Sequence, residues 1–79
     1  MVIYQTVEET CWNPSVGMYR AFGICAYCEE KGEKQIIAHI KDVFFDQTTA
    51  QRLVDICNRL KLDVVHLYDV VEDALQQEG

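Results

Sequence analysis

The chain has 79 residues, with 13 acids against seven Lys and Arg and a formal charge of −6; a surface that negative repels polyanions, which excludes nucleic acid and anionic membranes as expected partners. Its length holds one domain, residues 1–79, burying only about 60 to 65% of the surface its unfolded form exposes. With 49% hydrophobic and 25% charged residues, the composition is that of a globular domain and excludes a disordered tail.

The opening stretch, Met1 to Glu9, has no basic n-region, no long apolar run and no small-residue cleavage site, so it does not read as a signal peptide. No segment approaches the roughly 18 apolar residues that a membrane span needs. A cytoplasmic protein is expected. In a reducing compartment the four cysteines are expected as free thiols rather than as a disulfide framework.

Residues 2–11 are rich in β-branched and aromatic types, Val2, Ile3, Tyr4, Thr6, Val7 and Thr10, which fit a pleated strand better than a helix. Trp12 to Gly17 breaks that strand. Pro14 lacks an amide proton and Gly17 accepts positive φ, so the segment reads as a hairpin loop. The second strand runs from about Met18 to Cys28. It is apolar on both alternations, Met18, Phe22, Ile24 and Ala26 against Tyr19, Ala21, Cys25 and Tyr27. That pattern predicts a strand covered at least in part on both faces, although the loop leaves open on which side the first strand pairs. Gly23 marks a bulge or a close backbone approach.

Glu29 to Lys34 is charged, contains Gly32 and makes the next turn. In the third strand, residues 35–44, Ile36, Ala38 and Ile40 are expected to face the core, with Gln35, Ile37, His39 and Lys41 facing away. The period then changes. Asp46 is an N-cap, and Ala50, Leu53, Val54, Cys57 and Leu60 form one stripe of an amphipathic helix whose wet side carries Arg52, Asp55 and Arg59. Asn58 to Asp63 leads out of it, and Asp63 caps a second helix. There Val64, Leu67, Tyr68, Val71, Ala74 and Leu75 line one face, with Asp69, Glu72, Asp73 and Gln76 opposite. The sum is an α+β fold, a three-stranded antiparallel β-meander followed by two helices packed on one face, in the order β-β-β-α-α.

Three segments together resemble a family of small uncharacterised clostridial proteins, a domain of unknown function. They are the Val2-Ile3-Tyr4 strand, the Tyr19-x-x-x-Gly23-Ile24 strand, and Leu53-x-x-x-Cys57-Asn58 with His66-Leu67-x-Asp69-Val70-Val71-Glu72-Asp73. The resemblance covers most of the chain and is sharpest in its last third. It implies a Gram-positive anaerobe as the source, and it implies no activity.

Cys25-Ala26-Tyr27-Cys28 is a C-x-x-C, and with Cys11, Cys57, His39 and His66 it supplies an alternative reading as a metal or thiol protein. Residues i and i+3 of a strand point to opposite faces, so the pair converges on one ion only if the strand has turned by Ala26. A second pair at ligand spacing is missing. A reactive C-x-x-C also normally opens a helix, whereas a charged turn follows this one. Structural thiols and no cofactor are therefore expected. His39 and His66 read as hydrogen-bonded structural residues, and Ser15, Thr48 and Thr49 as local backbone partners. Enzymatic activity is not expected, since so small a domain rarely encloses a substrate pocket.

Asp63 to Gly79 contains five acids and no Lys or Arg, while the first 62 residues carry eight acids against seven bases. A charge run is usually a solvated surface. Here, however, Asp69 and Asp73 repel each other at i,i+4 by a few tenths of a kcal/mol, a cost that a basic partner relieves. Trp12 in the hairpin loop is a second contact candidate, its other reading being a lid over the open end of the core. The expected function is a small non-catalytic protein-binding or regulatory module that contacts a basic protein surface through Asp69, Glu72 and Asp73, with Trp12. The alternatives are a metal or thiol protein using Cys25 and Cys28, and a structural homodimer. The dimer would pair through a sheet edge or through the apolar outer face of the second strand, with Tyr19 and Tyr27 in the interface.

Overall fold

The computed structural model describes residues 2–78. Three strands, β1 (Val2–Asn13), β2 (Gly17–Glu30) and β3 (Glu33–Phe44), precede α1 (Gln47–Arg59), a 3-10 turn (Val64–His66) and α2 (Leu67–Glu78). Both strand pairs are antiparallel and the order is β1-β2-β3, so the strand that is apolar on both alternations is the central one. The expected β-β-β-α-α arrangement is the arrangement observed, with each strand running slightly further than its pattern marks. Lys31 and Gly32, both at positive φ, form the two-residue turn between β2 and β3, the geometry that matches the twist of a hairpin.

The core lies between one face of the sheet and the two helices. Tyr4, Phe22, Ile24, Ala26 and Phe44 from the strands meet Ala50, Leu53, Val54 and Cys57 of α1 and Leu67 and Val71 of α2. Asp46 caps α1, accepting the Thr49 N–H at 3.0 Å, and Asp63 caps the 3-10 turn through the Val65 N–H at 3.1 Å. At the other end of α1, Lys61 takes a left-handed conformation (φ 52°). Its N–H bonds the Asn58 carbonyl, and the Leu62 N–H bonds the Cys57 carbonyl. This Schellman-type closure, with Lys in the place usually held by Gly, turns Asn58 and Leu62 toward β1.

Three packing expectations fail. Ile36 is 62% exposed rather than in the core. Ala26 pairs with Ala38 but Tyr27 pairs with Ile36, so an irregularity absorbs Ile37 and moves Ile36 to the face of Tyr27, away from the helices. In α2 the buried stripe is centred on Leu67 and Val71 with Val70 and Ala74 beside it. Tyr68 and Leu75 lie about a quarter-turn round the helix from that centre and are exposed. Leu60, the C-cap beyond the last packed turn of α1, is exposed as well.

Candidate functional site

Because Tyr4, Ile24 and Ala26 point to the helices, alternation sends Ile3, Gln5, Val7, Glu9 and Cys11 of β1, with Tyr19, Ala21, Cys25 and Tyr27 of β2, to the opposite, open face. At the centre of that face stands Gly23. With no side chain there, Glu9 from β1 and His39 from β3 reach across the middle strand, and His39 Nε2 lies 2.7 Å from Glu9 Oε1. A Cβ at position 23 would sit 3.2 Å from Glu9 Oε2 and only 2.5 Å from the Ile40 carbonyl oxygen. Glycine is therefore required for the close approach of both groups.

The network continues outward. Glu9 Oε2 accepts the Asp42 N–H at 3.2 Å, and the Tyr19 hydroxyl donates to Asp42 Oδ2 at 2.5 Å. That bond to the Asp42 carboxylate is the main reason the Tyr19 phenol is pushed up to about 12, so it remains a donor. The Tyr19 ring meets Phe45 edge-on at 5.9 Å, and Lys34 Nζ lies 5.2 Å from the centre of the Tyr27 ring. Glu9, His39, Asp42 and Tyr19 thus form one polar chain across three strands. The sequence reading missed it. Its only signal was a glycine inside a central strand, and the register that places Glu9 and His39 on either side of that glycine is a long-range property.

The acids singled out in the sequence, Asp69, Glu72 and Asp73, are all exposed on α2. Among the described residues the ion pairs are Glu8–Arg20 and Glu9–His39, so none of the three acids has a cationic partner there. Tyr68 and Leu75, both exposed, lie four and three residues from Glu72 and share its side of the helix. Trp12 is elsewhere. It is 66% exposed and stands opposite Met18 near the hairpin tip, beyond Phe22, the last residue of β2 that pairs with β3 on that side. It is eight residues from Tyr4 along β1, about 27 Å at the strand rise, whereas the 3-10 turn leading into α2 follows Leu62, which bonds Tyr4.

The strand stays extended through Glu30, so Cys25 points to the open face and Cys28, opposite Val2, to the helix side. Cys57 is in the core, where burial raises its thiol. All four cysteines are free thiols, and among the described residues no group of three or more His, Cys, Asp or Glu is placed to share an ion. His66 is exposed at the end of the 3-10 turn, and its main-chain N–H bonds the Asp63 carbonyl at 3.0 Å. A groove of about 700 Å³ runs beside the β1 edge, lined by Val2, Ile3, Asn58, Lys61, Leu62 and Asp63. Among the described residues no helix is long and apolar enough to cross a membrane.

One antiparallel sheet, with two helices on one face and a polar bridge on the other, defines a small two-layer α+β domain. The chain belongs to a family of unknown function (DUF6514), whose profile matches residues 1–77. No curated protein and no solved structure matches it.

Proposed function

We propose that this chain is a small non-catalytic protein-binding module that docks a basic, partly apolar surface of another protein on α2. The observation that carries the reading is the exposed side of that helix, where Asp69, Glu72 and Asp73 lack cationic partners among the described residues and Tyr68 and Leu75 stand exposed beside Glu72. Unpaired acids steer a basic partner and select for its charge. The adjacent aromatic and aliphatic side chains supply the area that holds it once it arrives. Trp12, at the far end of the sheet, is a second and separate contact point. The module acts in the cytoplasm, a reading supported by its four free thiols.

The test uses a Lys- and Leu-rich amphipathic peptide as probe, with binding followed by fluorescence anisotropy at low and moderate salt. Asp69→Lys/Asp73→Lys should abolish binding and leave the far-UV CD unchanged. Glu29→Lys/Glu30→Lys, which changes the net charge equally at a distant turn, should retain it. Equal loss in both double variants would reduce the effect to net charge and reject this face.

A further inference from the structure

We propose that two copies of this chain pair through the open faces of their sheets, with the helices outward. The open face of an antiparallel sheet that meets water ordinarily alternates with charged residues. Here the central strand sends Tyr19, Ala21, Gly23, Cys25 and Tyr27 to that face, none of them charged; Ala21, Gly23 and Cys25 are covered by their neighbours, while Tyr19 and Tyr27 keep part of their surface open, Tyr27 beside Ile36, which is 62% exposed. Depletion of charge and enrichment in aromatic residues are the marks of an interface core.

The charged groups at the centre of this face, Glu9, His39 and Asp42, are already held within the chain. Glu9 holds His39 at 2.7 Å and the Asp42 N–H at 3.2 Å, Asp42 holds the Tyr19 hydroxyl, and Lys34 sits over the ring of Tyr27. Covering Glu9, His39, Asp42 and Tyr19 leaves none of these four side chains without a partner, which lowers the cost of burying the network. A patch whose polar groups are internally satisfied can also meet its own copy across a two-fold axis without opposing free charges.

Size and charge favour a second copy as the occupant. About ten paired positions at a rise of about 3.4 Å, across three strands about 4.8 Å apart, give a footprint of roughly 34 by 14 Å, so two copies bury on the order of 1,000 Å² in total, the threshold for a specific interface. Each chain carries a formal charge of −6, which opposes self-association through most of the surface. Because α2 packs on the other side of the sheet, face-to-face pairing keeps the acids of the two copies at the outer sides of the assembly.

The pairing is independent of the α2 reading and is tested without it. Sedimentation of the reduced protein should give about twice 9.1 kDa, and Val7→Lys should give the monomer with an unchanged CD spectrum. Hydroxyl-radical labelling of the wild type, which needs no variant, should show Tyr19 and Tyr27 growing protected as concentration rises while Tyr68 does not. A monomer at several hundred micromolar overturns the proposal. So does a dimer that protects Tyr68 instead, or one that survives Val7→Lys and is broken by Thr6→Pro, which would place the contact at the β1 edge.

Discussion

The carboxamide of Asn58 lies against the main chain of Tyr4 as a neighbouring strand would, accepting the Tyr4 N–H at 2.8 Å and donating to the Tyr4 carbonyl at 2.9 Å. The Tyr4 hydroxyl then donates to the Leu62 carbonyl at 2.8 Å. One strand residue therefore makes three bonds to the segment that ends α1. The left-handed Lys61 makes this geometry available, because it folds Leu62 back beside Asn58. The same contact closes part of the β1 edge, which would otherwise offer unpaired amides to another chain.

Asn58→Ala should leave both Tyr4 main-chain groups without a protein partner and cost about 1–2 kcal/mol. In a domain of this size that lowers the melting temperature by roughly 4–8 °C for each kcal/mol. Asn58→Asp should be no better than Ala, since it keeps the acceptor but turns a second oxygen toward the Tyr4 carbonyl. Urea melts of the three proteins decide the matter. Equal midpoints would mean that water replaces the carboxamide fully.

Alkaline pH should unfold the protein through Tyr4 and Cys57. Burial is the main cause that raises the Tyr4 phenol above its ordinary 10.0, with Cys57 and Asp63 adding negative charge nearby, and burial raises the Cys57 thiol above 9.0. For a group raised on folding, the stabilisation is complete below the unfolded value and is lost as pH rises through the folded one. The urea midpoint should therefore hold from pH 7 to about 9 and fall above it, and Tyr4→Phe should show a shallower fall from a lower starting midpoint. A wild-type midpoint that stays level to pH 11 contradicts this account.

Gly23→Ala tests the open face. The added carbon would lie 2.5 Å from a main-chain oxygen, which cannot yield as a flexible side chain does, so β2 and β3 must separate locally. Overpacking of this kind costs about 1–3 kcal/mol. The 3.2 Å contact with Glu9 Oε2 should also displace the carboxylate from His39. The His39 ring resonances should then move in the variant toward those of Glu9→Gln. If they keep their wild-type positions, the glycine serves only the backbone.

What could be read from the chain beforehand was what depends on near neighbours. The change of period and the cap at Asp46 are local and stand where the residues put them; the turn expected over Glu29 to Lys34 narrows to Lys31 and Gly32, and Asp63 caps the 3-10 turn that leads into α2. The failures share one cause. Strict alternation puts Ile36 in the core, but the irregularity at Ala26–Tyr27 interrupts it, and that irregularity is a relation between two strands. Helical spacing puts Tyr68 and Leu75 on the packed face, but how wide a stripe is buried depends on how α2 sits on the sheet. Glu9 and His39 are 30 residues apart, and only the full register brings them to either side of Gly23.

The two cysteines of the C-x-x-C should behave as independent residues. Cys25 is buried on the open side of β2, so Cys25→Ser places a hydroxyl where a thiol had packed and should cost about 1–3 kcal/mol if the hydroxyl finds no partner. Cys28, half-buried on the other side, should tolerate Ser within about 0.5 kcal/mol. Groups that share no ligand and no contact contribute additively to stability. The double variant should therefore show the sum of the two losses, and a chelator should leave the wild-type melting temperature unchanged. A chelator-sensitive melt, or a double variant no worse than Cys25→Ser alone, would instead join the two sulfurs in one site. β2 would then have to bend at Ala26, breaking the Ala26–Ala38 and Tyr27–Ile36 pairs.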